Sequence, residues 1–223
     1  MASSMTDSIG RVISSAVTKY NDIMESEYVG KNMRIDGIPT RGQMEEVKHK
    51  NSTEDEYGRT VTCKLDVEPK RGSMIEIMNN DGTSYDSGIV TTIPNKTPVD
   101  YYFSVLLFNA VAKRYRKQFM YSEDGYVIGD NPLIEDKIPC FIQRIGMRQR
   151  QVDVGIDRNA VNEITTLKKW DIQKGDILHV GSDRYKITDL KELDEEICQG
   201  YMTYYREWFY GYLWCIGVSR RTF

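Results

Sequence analysis

Histidine is scarce in this chain of 223 residues, and the short spacings typical of metal sites are missing. The two histidines lie far apart and the four cysteines form no Cys-x-x-Cys pair, so a zinc site would need ligands from distant positions. We predict that the cysteines are buried thiols. A nucleophile–base pair of Cys140 and His179 is the alternative, because catalytic partners need not be neighbours in sequence.

Long apolar runs are also missing. The longest uncharged one, residues 208–218, has about half of the roughly 20 residues that a membrane-spanning helix needs. The start of the chain has no cationic segment followed by an apolar one, which disfavours a secretory signal. With 40% hydrophobic and 28% charged residues, the composition is that of a folded globular protein, and we predict no membrane contact.

The common sequence motifs of enzymes do not occur. There is no glycine-rich phosphate-binding loop, no Gly-x-Gly-x-x-Gly turn and no Gly-x-Ser-x-Gly nucleophile elbow. Several carboxylates crowd residues 189–196, where a solvated loop is the simpler interpretation and an acid–base pair is the alternative. The sequence therefore predicts a protein that is not an enzyme and that holds no cofactor and no metal ion.

Aromatic residues, by contrast, are plentiful, and they concentrate at the C-terminus. The chain has 15 tyrosines, and two of its 3 tryptophans lie within residues 208–223. Tyr and Trp bury a large rigid area at a modest cost in entropy, which suits subunit interfaces. A contribution to the chain's own core is the alternative. The candidate interface residues are Tyr204, Tyr205, Trp208, Phe209, Tyr210, Tyr212 and Trp214.

Residues 1–32 contain one clear amphipathic helix. Its apolar residues recur with the 3.6-residue period of a helix, and Thr6 or Asp7 is a suitable N-cap. We expect a helix of about 22 residues that ends near Tyr28. Its apolar side packs either on the protein's own body or on a partner.

Strand patterns dominate the rest of the chain. Residues 33–60 are polar and turn-rich and predict a loop or arm. A first β module follows over residues 61–135 and a second over residues 136–207, before the aromatic segment 208–223.

Three local patterns refine these two modules. The sequence Asn79-Asn-Asp-Gly82 predicts a hairpin turn. Residues 101–108 predict a strand that leads into a helical turn over 110–116, and residues 177–205 predict a three-stranded meander.

A short sequence echo links the two modules. Arg71-Gly-Ser-Met-Ile-Glu-Ile77 and Lys174-Gly-Asp-Ile-Leu-His-Val180 each precede a turn and a tyrosine. In both, a basic residue and a glycine lead into a strand whose alternate residues face inward. The predicted fold is therefore mainly β, with two similar small barrels or one larger sandwich preceded by an amphipathic α-helix.

One part of this pattern resembles a known family. A basic-Gly-Asp step into a strand at residues 174–176 is followed by a short hairpin that rises into Tyr185-Lys-Ile187. Residues 154–190, which contain this arrangement, are similar to the head-closure, or stopper, proteins in the neck of tailed bacteriophages. Residues 71–102 resemble the first module of two-module members, with Ser73 in place of the acidic residue.

The resemblance implies a structural virion protein. Such proteins form a homo-oligomeric ring that joins portal or adaptor proteins above to tail proteins below and helps retain the packaged DNA. The implied location is the virion neck, and the host cytoplasm during assembly. The implied partners are further copies of the chain, the adjoining neck proteins and DNA in the channel.

Two basic clusters leave a second function open. Residues 113–117 and 144–150 interleave cations with aromatic or apolar residues, as nucleic-acid-binding barrels do. Because the net charge is −3, any basic surface must be local, and ordinary solvated surface is the simpler interpretation. The candidate residues for contact with DNA or an acidic partner are Lys113, Arg114, Arg116, Lys117, Arg148 and Arg150.

Overall fold

An N-terminal helix precedes fifteen strands in the described part of this computed structural model. The structure describes residues 2–26, 28–46, 56–116, 118–121, 127–130, 132–146, 159–191 and 195–205. Helix α1 spans Ala2–Glu25. It begins before the predicted caps Thr6 and Asp7, because residues 2–9 contain neither glycine nor proline to interrupt it.

The first barrel consists of six strands that close on themselves. Their order is β3-β2-β1-β4-β5-β7, β7 pairs back with β3, and the short β6 adds to the edge of β7. Met33, Ile75 and Phe103 fill the interior together with other buried apolar side chains. The strands are β1 Lys31–Ile35, β2 Ile38–Glu46, β3 Gly58–Cys63, β4 Met74–Met78, β5 Ser84–Val90, β6 Asn95–Lys96 and β7 Tyr101–Leu107.

The second barrel also has six strands, in the closed order β11-β12-β15-β14-β13-β8. Its interior is filled by Ile138, Ile164, Leu178 and Ile187, among others. A separate hairpin of β9 and β10 lies between β8 and β11 in the chain. The strands are β8 Ala110–Tyr115, β9 Gln118–Tyr121, β10 Val127–Asp130, β11 Leu133–Arg144, β12 Asn162–Leu167, β13 Ile177–Val180, β14 Asp183–Lys191 and β15 Ile197–Tyr204.

Both barrels have the same connectivity. When β8, β11, β12, β13, β14 and β15 are matched in chain order with β1, β2, β3, β4, β5 and β7, every neighbour relation of the first barrel recurs in the second. The extra elements, β6 and the β9–β10 hairpin, fall at different places. The prediction of a mainly β fold with similar barrels after a helix is confirmed, and the barrel alternative holds over the single sandwich.

The same turn leads into the fourth strand of each barrel and explains the sequence echo. Gly72 and Gly175 have φ values of 84° and 94°, in the region where a side chain would be strained. In each turn the residue after the glycine accepts a hydrogen bond from a backbone amide. The Lys70 amide donates to Ser73 Oγ at 3.0 Å, and the Gln173 amide donates to Asp176 Oδ2 at 2.9 Å. Ser73 therefore closes its turn in the same way as Asp176 does in the second barrel.

A shared apolar cluster joins the two barrels. Ile89 and Leu106 of the first barrel pack with Phe141, Leu167 and Ile197 of the second, and all five are buried. These side chains point outward from the two barrels, so they are buried only because the barrels are in contact with each other.

The connection between the barrels is the two-residue segment 108–109, and its second residue is firmly held. Asn109 Nδ2 donates to the carbonyl oxygen of Ile142 at 2.9 Å, and the Ile142 amide donates to Asn109 Oδ1 at 2.8 Å. The boundary thus falls before β8, whereas the sequence predicted it after residue 135. The difference arises because β8 pairs with β11 and β13.

The loop predicted over residues 33–60 is partly strand. β1, β2 and the start of β3 occupy much of it, and residues 47–55 lie outside the described range. Asp36 and Gly37 have φ values of 50° and 83°, which suit the tight turn that joins β1 to β2. The Asp-Gly pair is the sequence signal that could have revealed this hairpin.

Other local predictions had mixed outcomes. The hairpin at Asn79–Gly82, the strand over 101–108 and the three-stranded meander are confirmed as β4–β5, β7 and β13–β15. The helical turn predicted over 110–116 is wrong, because β8 is drawn into pairing on both of its edges.

Candidate interaction surfaces

The predicted basic cluster on β8 is largely used within the second barrel. Arg114 is 7% exposed and donates from Nη1 to the carbonyl oxygens of Trp170 and Asp171. Arg116 forms a two-point contact with Asp176, from Nε to Oδ1 at 2.8 Å and from Nη2 to Oδ2 at 3.0 Å. Their geometry therefore argues against the prediction that these two residues contact DNA or an acidic partner, because both guanidinium groups are turned toward groups of the same barrel.

The Arg116–Asp176 pair also fixes the turn before β13. Asp176 is 1% exposed, so its charge depends on hydrogen bonds from the protein. The pKa of Arg116 is raised, mainly by its hydrogen bond to Asp176. Beside them, the hydrogen bond from Gln173 and then that from Arg116 hold the pKa of Asp171 below its usual range. These charges belong to a structural network.

Lys113 is the one described member of the cluster whose charge lies at the surface. Its Nζ lies 2.7 Å from Asp136 Oδ1, and this hydrogen bond raises the pKa of Lys113 and lowers that of Asp136. An exposed pair of this kind contributes little to stability. The remaining candidates, Lys117, Arg148 and Arg150, lie outside the described residues.

The predicted aromatic interface begins at the end of β15. Tyr204 is exposed, and its ring centroid lies 5.2 Å from that of the buried Tyr185. The next amide, that of Tyr205, donates to the carbonyl oxygen of Arg184 at 2.8 Å. The other candidates, Trp208, Phe209, Tyr210, Tyr212 and Trp214, lie outside the described residues.

The three described cysteines are buried thiols, as predicted. Burial raises the pKa of Cys63 and Cys140 to about 12 and that of Cys198 to about 11. Cys140 Sγ lies 3.6 Å from the carbonyl oxygen of Ala110. A thiol with so high a pKa is a poor nucleophile at neutral pH, which disfavours the Cys140–His179 alternative.

The C-terminus of α1 is clamped to the first barrel by Arg41, which the sequence interpretation had left in a loop, and by Lys64, which it had placed in the first β module. Arg41 of β2 donates to the carbonyl oxygens of Glu25 and Gly30 at 2.9 and 2.8 Å. Such contacts satisfy carbonyl groups that a helix end leaves free and place a positive charge at the negative end of the helix dipole. The Glu25 carboxylate also accepts a hydrogen bond from Lys64 Nζ.

This clamp should weaken in acid. The hydrogen bond from Lys64, with a smaller one from Arg41, lowers the pKa of Glu25 from its ordinary value of 4.5. A carboxylate with a lowered pKa stabilises the folded state above its unfolded pKa, and this contribution is lost as the pH falls through the folded pKa. We therefore expect α1 to become more susceptible to pepsin as the pH falls below 4.5. After correction for pepsin's own pH profile on an unfolded substrate, this increase should be smaller in Glu25→Gln, and an increase equal to that of the parent would contradict the assignment.

Among the residues that the structure describes, no group of three or more His, Cys, Asp and Glu side chains could hold a metal ion. Within the same residues, no helix combines the length and apolarity needed to cross a bilayer.

Comparison with known proteins adds little. No family model matches the chain, and no curated protein does. One similar solved chain is described as "MrkH, A novel c-di-GMP dependence transcription regulatory factor". It is 7% identical, the match covers 87% of this chain and 84% of that chain, and the TM-score is 0.23. A similarity this low carries no argument about fold or function.

Proposed function

We propose that the chain is a structural subunit of a bacteriophage neck, where copies form a ring between the portal or adaptor proteins and the tail. The observation that carries this proposal is the tandem repeat of one closed barrel, with the two copies joined by a buried apolar cluster. A two-barrel unit of this kind suits a subunit that repeats in a larger assembly. It also agrees with the head-closure resemblance of residues 154–190.

The filled interiors of the barrels support a channel formed between subunits. Phe103 in the first barrel and Ile164 in the second are fully buried among other apolar side chains. Neither barrel therefore has an open lumen. DNA would have to pass through the centre of a ring of several copies.

Surface features favour protein contacts over nucleic-acid binding. Apolar side chains are exposed along α1, and Tyr204 is exposed at the end of β15. By contrast, Arg114 and Arg116 are bound to groups of their own barrel. Exposed apolar and aromatic side chains suit a structural protein that assembles with other subunits.

Electron cryo-microscopy of phage particles that contain this chain would test the proposal. We expect a closed ring of two-barrel subunits between the portal and the tail. Particles that lack the chain at this position would contradict it. Tight, steeply salt-dependent binding of the purified chain to DNA of any sequence would instead favour the nucleic-acid-binding alternative.

A further inference from the structure

The contact between α1 and the first barrel is small for a helix of 24 residues. Among the side chains described on this helix, those of residues 8–25, Met24 is the one that is buried. Val17, Tyr20 and Asn21 are half-buried, and the side chains of residues 8–16 are exposed. We refer to residues 17–25 as the latch, because they carry all of the described burial of the helix.

The packing beneath the latch is loose. A depression of about 240 Å³ is lined by Val17 and Asn21 of the helix and by Leu65 and Val99 on the side of the first barrel. A second depression, of about 370 Å³, is lined by Glu25 at the end of the helix together with residues of the first barrel. Since protein interiors are normally close-packed, a contact with open space on two sides gives the helix little dispersion energy.

Two buried polar atoms in this contact have no hydrogen-bond partner among the described residues. They are the hydroxyl oxygen of Tyr20, on the latch, and Nε of Arg41, on β2. Burial raises the pKa of Tyr20 above its usual range, and the neighbouring Asp100 and Cys63 add to the shift, which places this hydroxyl against the first barrel. In Arg41 the other two guanidinium nitrogens bind carbonyl groups of the clamp, while Nε is shielded from water.

Both atoms disfavour the docked helix. A buried polar atom without a partner loses the hydrogen bonds that it makes to water, and it regains them when the contact opens. Release of the helix would bring water to the Tyr20 hydroxyl and to Arg41 Nε at the same time. The docked and released states are therefore closer in free energy than the clamp alone would make them.

We propose that the latch detaches from the first barrel while both barrels stay folded, so that α1 exists in a docked and a released state. Segments that bury few apolar side chains open at a lower free energy than the protein as a whole. A released helix is marginally stable in water, so the latch unwinds as it leaves. The first barrel keeps its form, because its six strands are closed by pairing with one another.

Release changes the surface of the chain in a defined way. In the docked state the barrel covers Met24 and part of Tyr20, which continue the apolar stripe of Ile9 and Ile13 at helical spacing. The barrel therefore occupies half of the stripe, and only the released state presents all of it. This device rests on contacts within the chain and does not depend on the neck assignment.

Removal of the unpartnered hydroxyl is expected to hold the latch more tightly. In Tyr20→Phe the ring stays and the buried oxygen is lost, so the amides of residues 17–25 should exchange with deuterium about fivefold more slowly than in the parent. Mass spectrometry of the full-length chain measures this exchange. Because Tyr and Phe have similar helix propensities, the change would report docking. Exchange as fast as in the parent, or faster, would overturn the proposal.

A matched control removes a hydroxyl that plays no part in the contact. Tyr28 is 100% exposed, so Tyr28→Phe should leave the exchange of the latch unchanged. Equal slowing in Tyr28→Phe and Tyr20→Phe would overturn the proposal, because the effect would then not come from the buried oxygen.

Truncation of the buried side chain should act in the opposite direction. In Met24→Ala we expect the latch to exchange about tenfold faster, although alanine is the better helix former. Val12→Ala shortens a side chain that is 69% exposed and should leave the exchange of the latch unchanged. Parental exchange in Met24→Ala would overturn the proposal, because docking would then not be what protects the latch.

The barrel strands supply an internal reference in every sample. In the parent, the latch should exchange about a hundredfold faster than the paired amides of β3 and β7. Equal protection of the latch and these strands would overturn the proposal, since the helix would then open only when the whole protein unfolds. Failure of the latch would leave the neck assignment standing, and absence of the chain from phage necks would leave the latch standing.

Discussion

Replacing Arg116 with methionine is expected to lower the free energy of unfolding by about 3–5 kcal/mol, because it leaves a buried charge without its partner. Asp176 is almost fully buried, and Arg116 contacts both of its carboxylate oxygens. The same carboxylate accepts the amide of Gln173 in the turn before β13, so a disturbance there should reach the barrel strands. Urea denaturation followed by intrinsic fluorescence would measure the loss.

Two variants make this result specific. Lys113→Met removes a cation from the same strand, but its pair with Asp136 is exposed, so the loss should stay within about 1 kcal/mol. Arg116→Met combined with Asp176→Asn removes the charge while keeping a side chain that can accept the Gln173 amide, and it should recover part of the stability. Equal losses for Arg116→Met and Lys113→Met would show that the buried pair has no special role.

Phe141→Ala is expected to uncouple the two barrels. Phe141 lies on β11, is fully buried in the cluster that joins the barrels, and packs against Tyr57 with ring centroids 5.5 Å apart. Truncation of a buried phenylalanine costs about 3–5 kcal/mol, and here the cavity lies at the contact between the barrels. We expect calorimetry to show two separate unfolding transitions where the parent shows one.

A matched replacement distinguishes loss of coupling from general destabilisation. Phe141→Leu keeps most of the apolar volume, so it should cost less than about 1.5 kcal/mol and preserve a single transition. A single transition in Phe141→Ala as well would mean that the barrels stay coupled through other contacts.

The repeat could be predicted from sequence because it rests on local chemistry. The same turn precedes a strand twice, at Gly72 and at Gly175. In each, the glycine has a positive φ, and the polar residue after it closes the turn with a hydrogen bond. The β1–β2 hairpin was missed for the opposite reason. Its strands are polar on the outside, and only Met33 and Ile35 alternate clearly enough to suggest burial.

The role of the basic residues on β8 could not be predicted from sequence. Arg114 and Arg116 find their partners at Trp170, Asp171 and Asp176, which are distant in the chain and meet β8 only because the barrel closes. A cluster of cations in a sequence therefore does not say whether its charges face solvent or a buried carboxylate. Likewise, the exposure of residues 8–16 of α1 follows from where the helix ends on the barrel.

The attachment of Asn109 has a mechanical consequence. Its side-chain amide binds both the amide and the carbonyl of Ile142 of β11, and the amide of Phe108 donates to the carbonyl oxygen of Ser87 of β5, so each of the two linker residues is anchored to a different barrel. A rotation of one barrel against the other would therefore have to break hydrogen bonds at the linker as well as contacts of the shared apolar cluster.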